Sequence, residues 1–89
     1  MRYIVVSHQR PNLSPEETAR LYAAANQFYT GMPEGVKLEA DFILADRTGS
    51  YSVVNVPDRA TMDAIMAPFA GLVNAEIHLL LDPPPAPQA

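Results

Sequence analysis

The chain switches between two hydrophobic periods in a fixed order, and that order limits its fold more than any single residue does. A β-branched and aromatic run, Tyr3 to Val6, comes first. A helical stretch follows, in which Ser14 can cap, Pro15 suits the first helical position and Glu17 can complete a capping box. Leu21, Ala25, Phe28 and Tyr29 recur at helical spacing until Gly31, Pro33 and Gly35 end the run. From Val36 the pattern becomes alternation through Ala45, and Tyr51 to Val56 is the return strand. Between them Asp46-Arg47-Thr48-Gly49 reads as a hairpin loop, with the glycine available for a positive φ. Asp58 is a candidate cap for a second helix carrying Met62, Ile65, Met66 and Phe69, and Pro68 predicts a kink or stop near its end. Ala75 to Leu81 is the closing strand. The order is β-α-β-β-α-β.

That order is the ferredoxin-like α+β plan, a four-stranded antiparallel sheet with both helices on one face. It occupies residues 1–82 as one domain, and residues 83–89 form a Pro-rich tail read as exposed polyproline. The uncovered sheet face needs a partner. A domain this small buries only about 60–65% of its unfolded surface, and without cysteines no disulfide can compensate. A homodimer joined through the sheets is the expected remedy, with further assembly left open.

Composition narrows the function. At 48% hydrophobic residues the chain is too apolar for disorder. Its net charge of -4, and the dispersal of Arg2, Arg10, Arg20, Lys37, Arg47 and Arg59, argue against a nucleic-acid partner. No apolar stretch approaches the roughly 20 residues that cross a bilayer, and a strand starting at residue 2 or 3 leaves no space for a signal peptide. The expectation is a cytoplasmic protein away from membranes.

Strand alternation sorts the side chains by face. The purely apolar set, Val36, Leu38, Ala40 and Phe42 with Val54, Val56, Ile77, Leu79 and Leu81, is assigned to the helices. The opposite face then receives Glu39, Asp41 and Ile43, then Tyr51, Val53 and Asn55, then Glu76, His78 and Leu80. Such a mixture of polar and apolar groups suits a ligand cavity. The first strand offers two faces, Tyr3-Val5-Ser7 and Ile4-Val6-His8, and His8 is placed at the cavity mouth because it ends the strand.

The loop leading into Leu13-Ser14-Pro15-Glu16-Glu17 and the closing Ala75-Glu76-Ile77-His78-Leu79-Leu80 resemble the muconolactone-isomerase-like group of the dimeric α+β-barrel superfamily. The resemblance implies a dimer whose sheets face each other around a cavity, small hydrophobic or aromatic ligands, and frequently no cofactor. That superfamily includes isomerases, cyclases, cofactor-free oxygenases and proteins without known catalysis, so the fold alone does not select a reaction.

The residues then point to cofactor-independent proton transfer, as isomerisation, cyclisation or dehydration of a hydrophobic carbonyl-containing or aromatic metabolite. His78 is the candidate general acid or base, because imidazole titrates near neutrality. Asp41 or Glu39, two residues apart on one strand face, is its expected partner. Tyr51 and Asn55 would bind substrate oxygens, with Ile43, Val53 and Leu80 as an apolar wall. Ser7 has no adjacent base and no nucleophile-elbow motif. His8 and His78 lack metal-ligand spacing, and the four glycines form no phosphate loop. The alternatives are a non-catalytic dimeric module that binds a ligand or protein, and a cofactor-free oxygenase.

Overall fold

The computed structural model describes residues 1–81, so the Pro-rich tail lies outside the described residues. Four strands, β1 (Arg2–Gln9), β2 (Lys37–Ile43), β3 (Gly49–Asn55) and β4 (Val73–Leu80), alternate with two helices, α1 (Pro15–Thr30) and α2 (Arg59–Met66). The strands pair antiparallel in the order β2-β3-β1-β4. This is the ferredoxin-like α+β arrangement. No described helix is long and apolar enough to cross a membrane.

The helix ends follow from their sequences. Ser14 Oγ accepts the Glu17 amide at 3.1 Å, and Glu17 Oε1 accepts the Ser14 amide at 3.0 Å, completing the capping box. Asp58 Oδ1 accepts the Thr61 amide at 2.7 Å at the start of α2. Met66 is the last residue of α2, and Ala67–Phe69 tighten into a 3-10 turn with Pro68 inside it. Proline has no amide hydrogen to continue the α-helical ladder, which accounts for the stop.

Both helices pack on one sheet face. Tyr3, Val5, Val54, Val56 and Met62 form the buried core, with Phe28 of α1 and Ile65 of α2 against it. Met62 is fully buried, a burial that contributes about 1.5–3 kcal/mol. The Arg59 guanidinium lies over the Tyr3 ring, 5.5 Å from its centroid.

The register fixes the faces. Val5 stands opposite Ser52, and Ser7 opposite Ser50. The Tyr3-Val5-Ser7 side of β1 therefore faces the helices, and the Ile4-Val6-His8 side lies on the open face. Tyr51, Val53, Asn55, Glu76, His78 and Leu80 fall on the open face as expected, since they stand opposite Val6, Ile4 and Arg2.

Strand β2 departs from the expectation. Leu38 pairs with Val54, but Ala40 pairs with Val53, so Glu39 is the extra residue of a β-bulge. One inserted residue reverses the parity of everything beyond it. Asp41 and Ile43, expected on the open face, turn toward the helices opposite Ser52 and Ser50. Ala40 and Phe42, expected under the helices, turn to the open face, where Phe42 meets Tyr51. Leu79 and Leu81, placed among the helix-facing set, remain exposed at the sheet edge.

The β2–β3 hairpin also differs in detail. Arg47, not Gly49, takes the positive φ, at 63°. Gly49 is already in β3 beside His8, and a Cβ there would sit 2.5 Å from the Ser7 carbonyl oxygen. The glycine is needed for close strand approach rather than for the turn.

Candidate functional site

Three serines interrupt the helix-facing side of the sheet at one end. Ser7 continues the line of Tyr3 and Val5, and Ser50 and Ser52 continue the line of Val54 and Val56. Facing them are apolar side chains of α1, among them Leu21, Ala25 and Phe28, together with Met66 and Phe69. A cavity of about 250 Å³ lies between this serine floor and the apolar roof. Gln9 and Arg47 reach it from the hairpin end, and Tyr22, Tyr29 and Ile43 line its side. Among the described residues, the side chains of Ser7, Gln9, Ser50 and Arg47 have no hydrogen-bond partner.

Asp41 stands beside the cavity and holds two of its hydroxyls. Ser52 Oγ donates to Asp41 Oδ1 at 2.6 Å, and Tyr29 Oη donates to Asp41 Oδ2 at 2.6 Å. Ser52 is buried, at 6% exposure. Burial first, then the hydrogen bond and the negative charge of Asp41, push the Tyr29 hydroxyl up to about 12. Tyr29 therefore keeps its proton at neutral pH. Phe28 packs edge-on against both Tyr29 and Phe69, with centroids 5.2 and 6.3 Å apart, which steadies this part of the roof.

The open face carries most of the side chains that the sequence singled out. His78 is exposed there, with Nε2 3.5 Å from Glu76 Oε2. Glu39 is engaged with Arg2, whose Nε lies 3.0 Å from each carboxylate oxygen and whose Nη2 lies 2.9 Å from Oε2. That guanidinium holds the Glu39 carboxyl below the usual carboxylate range, and Asn55 contributes in the same direction. His8, Tyr51, Val53, Asn55 and Leu80 share this face.

The expected grouping of His78 with Asp41 and Glu39 is divided by the sheet. The bulge turns Asp41 to the helix side and leaves Glu39 on the open side, so the two carboxylates are not neighbours. Ile43 goes with Asp41 and lines the cavity. Tyr29, Ser7, Ser50, Ser52 and Arg47 were not singled out for the site. For the serines a signal is present in the sequence, because serine breaks two otherwise apolar strand faces in phase with the core. Among the described residues no group of three or more His, Asp and Glu side chains converges as a metal site would.

These features define an α+β domain with a small, polar-floored cavity between sheet and helices and a second, uncovered sheet face. The chain belongs to the family described as a domain of unknown function, DUF3303, whose model matches residues 1–86. Among solved structures, a muconolactone isomerase superposes with a TM-score of 0.71 over 100% of this chain and 97% of that one, at 19% sequence identity. The fold resemblance drawn from the sequence is thus present, and at that identity it is a likeness of fold. No curated protein sequence matches the chain.

Proposed function

We propose that this protein performs cofactor-independent proton transfer on a small hydrophobic carbonyl-containing or aromatic molecule, held in the helix-side cavity. The observation that supports this most is Asp41, a carboxylate accepting two 2.6 Å hydrogen bonds from hydroxyls that line the cavity. A proton leaving a carbon next to a carbonyl is taken up at Ser52 Oγ or Tyr29 Oη, as the hydroxyl's own proton passes to Asp41. Neither hydroxyl is basic enough alone, so the carboxylate is what makes the step feasible. Returning the proton to a different carbon completes an isomerisation. Positioned acid–base groups of this kind typically contribute about 10²–10⁴ in rate.

The open face suggests a second element of the reading, pairing with another copy of the chain. Phe42 and Tyr51 stand side by side there, exposed, next to Val6 and close to Ile4 and Val53. Pairing would enclose His78, Glu39, Asn55 and Leu80 between two sheets. The approach of His78 to Glu76 makes that space the rival seat for acid–base chemistry.

Deuterium exchange separates these readings. Single-ring ketones and lactones are incubated with the protein in D₂O, and loss of their C–H signals is followed by NMR. Accelerated exchange with at least one compound, abolished in Asp41→Asn and retained in His78→Ala, is the expected result. Loss in His78→Ala alone moves the chemistry to the open face. No acceleration with any compound leaves a binding module and defeats the enzymatic reading.

A further inference from the structure

The hydrogen-bond polarity of the cavity wall restricts the ligand beyond its size. A serine or tyrosine hydroxyl has one proton to give and lone pairs to accept with. Ser52 and Tyr29 both direct that proton at Asp41. Bonds to a carboxylate are charge-assisted and not readily surrendered. Toward the cavity these two oxygens therefore present lone pairs. The Asp41 side of the cavity is an acceptor wall without a free side-chain donor.

The opposite end has the reverse character. Arg47 brings donors alone to the hairpin end, and the Gln9 amide brings donors beside one acceptor, with no partner among the described residues. Ser7 and Ser50, on the floor between, can give or accept. A ligand oxygen that can only accept fits the hairpin end. At the Asp41 wall it would meet lone pairs and lose its bond to water without replacement. A hydroxyl there finds a partner at once.

The cavity of about 250 Å³ lies just below the roughly 300–1,000 Å³ of drug-sized ligand pockets. It has room for one ring and short substituents. The roof of Leu21, Phe28, Met66 and Phe69 is apolar throughout, so that ring is uncharged.

We propose that the cavity selects a single-ring, hydroxyl-bearing molecule, a phenol being the simplest, whose hydroxyl donates to Ser52 Oγ or Tyr29 Oη. This inference rests on the reading of the helix-side cavity as the ligand site and names the class of molecule it takes. Asp41 acts here as a positioning residue, since it sets the direction of both hydroxyl protons without lining the cavity itself.

The test compares p-cresol with 4-methylanisole, which differ only in replacing the hydroxyl by a methoxy group. Both are titrated into the full chain, with binding followed through backbone amide shifts. The expected result is p-cresol binding roughly tenfold tighter, the effect of one hydrogen bond, with shifts at Ser7, Ser50 and Ser52. In Asp41→Asn the new amide donates to one of the two hydroxyls and frees its proton, so the preference falls to about twofold or less. Tyr29→Phe, at a position 47% exposed, removes one of the two acceptors and lowers the preference should Asp41→Asn fail to fold. Equal affinity for the two probes in the unaltered protein overturns the hydroxyl assignment and leaves the cavity as a ligand site. Shifts by neither probe, or shifts confined to the open face, overturn both.

Discussion

Tyr29 Oη donates to Asp41 Oδ2 at 2.6 Å, tying the last turn of α1 to β2 across the edge of the cavity. The contact exists because the bulge at Glu39 turns Asp41 toward the helices. Without the extra residue Asp41 would point to the open face and α1 would have no ionic acceptor at its end.

Removing that bond has a pH signature. The Tyr29 hydroxyl is raised from 10.0 to about 12 by burial and by Asp41. An acid whose folded value is raised stabilises the fold fully below its unfolded value and loses that contribution as pH rises through the folded one. The unaltered protein should therefore weaken between about pH 10 and 12. Tyr29→Phe should lose about 0.5–1.5 kcal/mol at pH 8 and show a shallower decline in that window. Urea unfolding at pH 8, 10 and 11 measures both. A Tyr29→Phe curve parallel to the unaltered one across this range would show that the bond is not formed in solution.

Glu39 gives the opposite slope. Its carboxyl is held below the ordinary 4.5 by the Arg2 guanidinium. A lowered acid stabilises above its unfolded value and loses that contribution as pH falls through the folded one. Melting temperature should thus drop below pH 4.5 by less in Glu39→Gln than in the unaltered chain. The two side chains are only 20% and 24% exposed, so high salt should shrink the difference in part. Identical acid profiles would mean that the ion pair contributes nothing.

Much of this fold is legible in the sequence because its signals are periodic and local. The capping box at Ser14 and Glu17, the Asp58 cap and the stop at Pro68 each depend on residues within one helical turn, and each forms as read. The bulge is different. Leu38-Glu39-Ala40-Asp41 alternates acceptably in either register, and only the pairing of β2 with β3 decides where the extra residue goes. One such insertion was enough to misplace Asp41, Ile43, Ala40 and Phe42 together. The role of Gly49 is hidden in the sequence for a related reason, since it depends on the backbone of Ser7 across the sheet. The serine floor was legible as a pattern but carried no chemistry until the register set Ser7 beside Ser50 and Ser52 beside Asp41.

The core should be sensitive to volume. Met62 is fully buried and packs with Tyr3, Val5, Val54 and Val56. Met62→Ala should cost about 2–5 kcal/mol, the transfer term plus that of the cavity left behind. For a domain of this size that lowers the melting temperature by at least roughly 8 °C. A shift within 3 °C by calorimetry would place Met62 outside the cooperative core. Met66, which lines the cavity between sheet and helices, should tolerate Leu with a change of less than about 1.5 kcal/mol.

Pairing through the open face can be tested at one residue. Phe42 is 68% exposed and stands opposite Tyr51, itself 40% exposed. An aromatic pair left in water on a sheet face gains about 0.5–1.5 kcal/mol beyond its area when it packs against further rings, and a two-fold interface would bring a second such pair onto the first. An aspartate at position 42 in each chain would place two negative charges in that contact. The single chain would lose little, because the ring makes no part of the core cluster. The unaltered protein should sediment as two chains and Phe42→Asp as one, with the melting curve of the diluted unaltered protein approaching that of the variant. A single-chain mass for the unaltered protein at high concentration, or a two-chain mass for Phe42→Asp, would exclude this face as the interface and leave His78 and Glu76 in water.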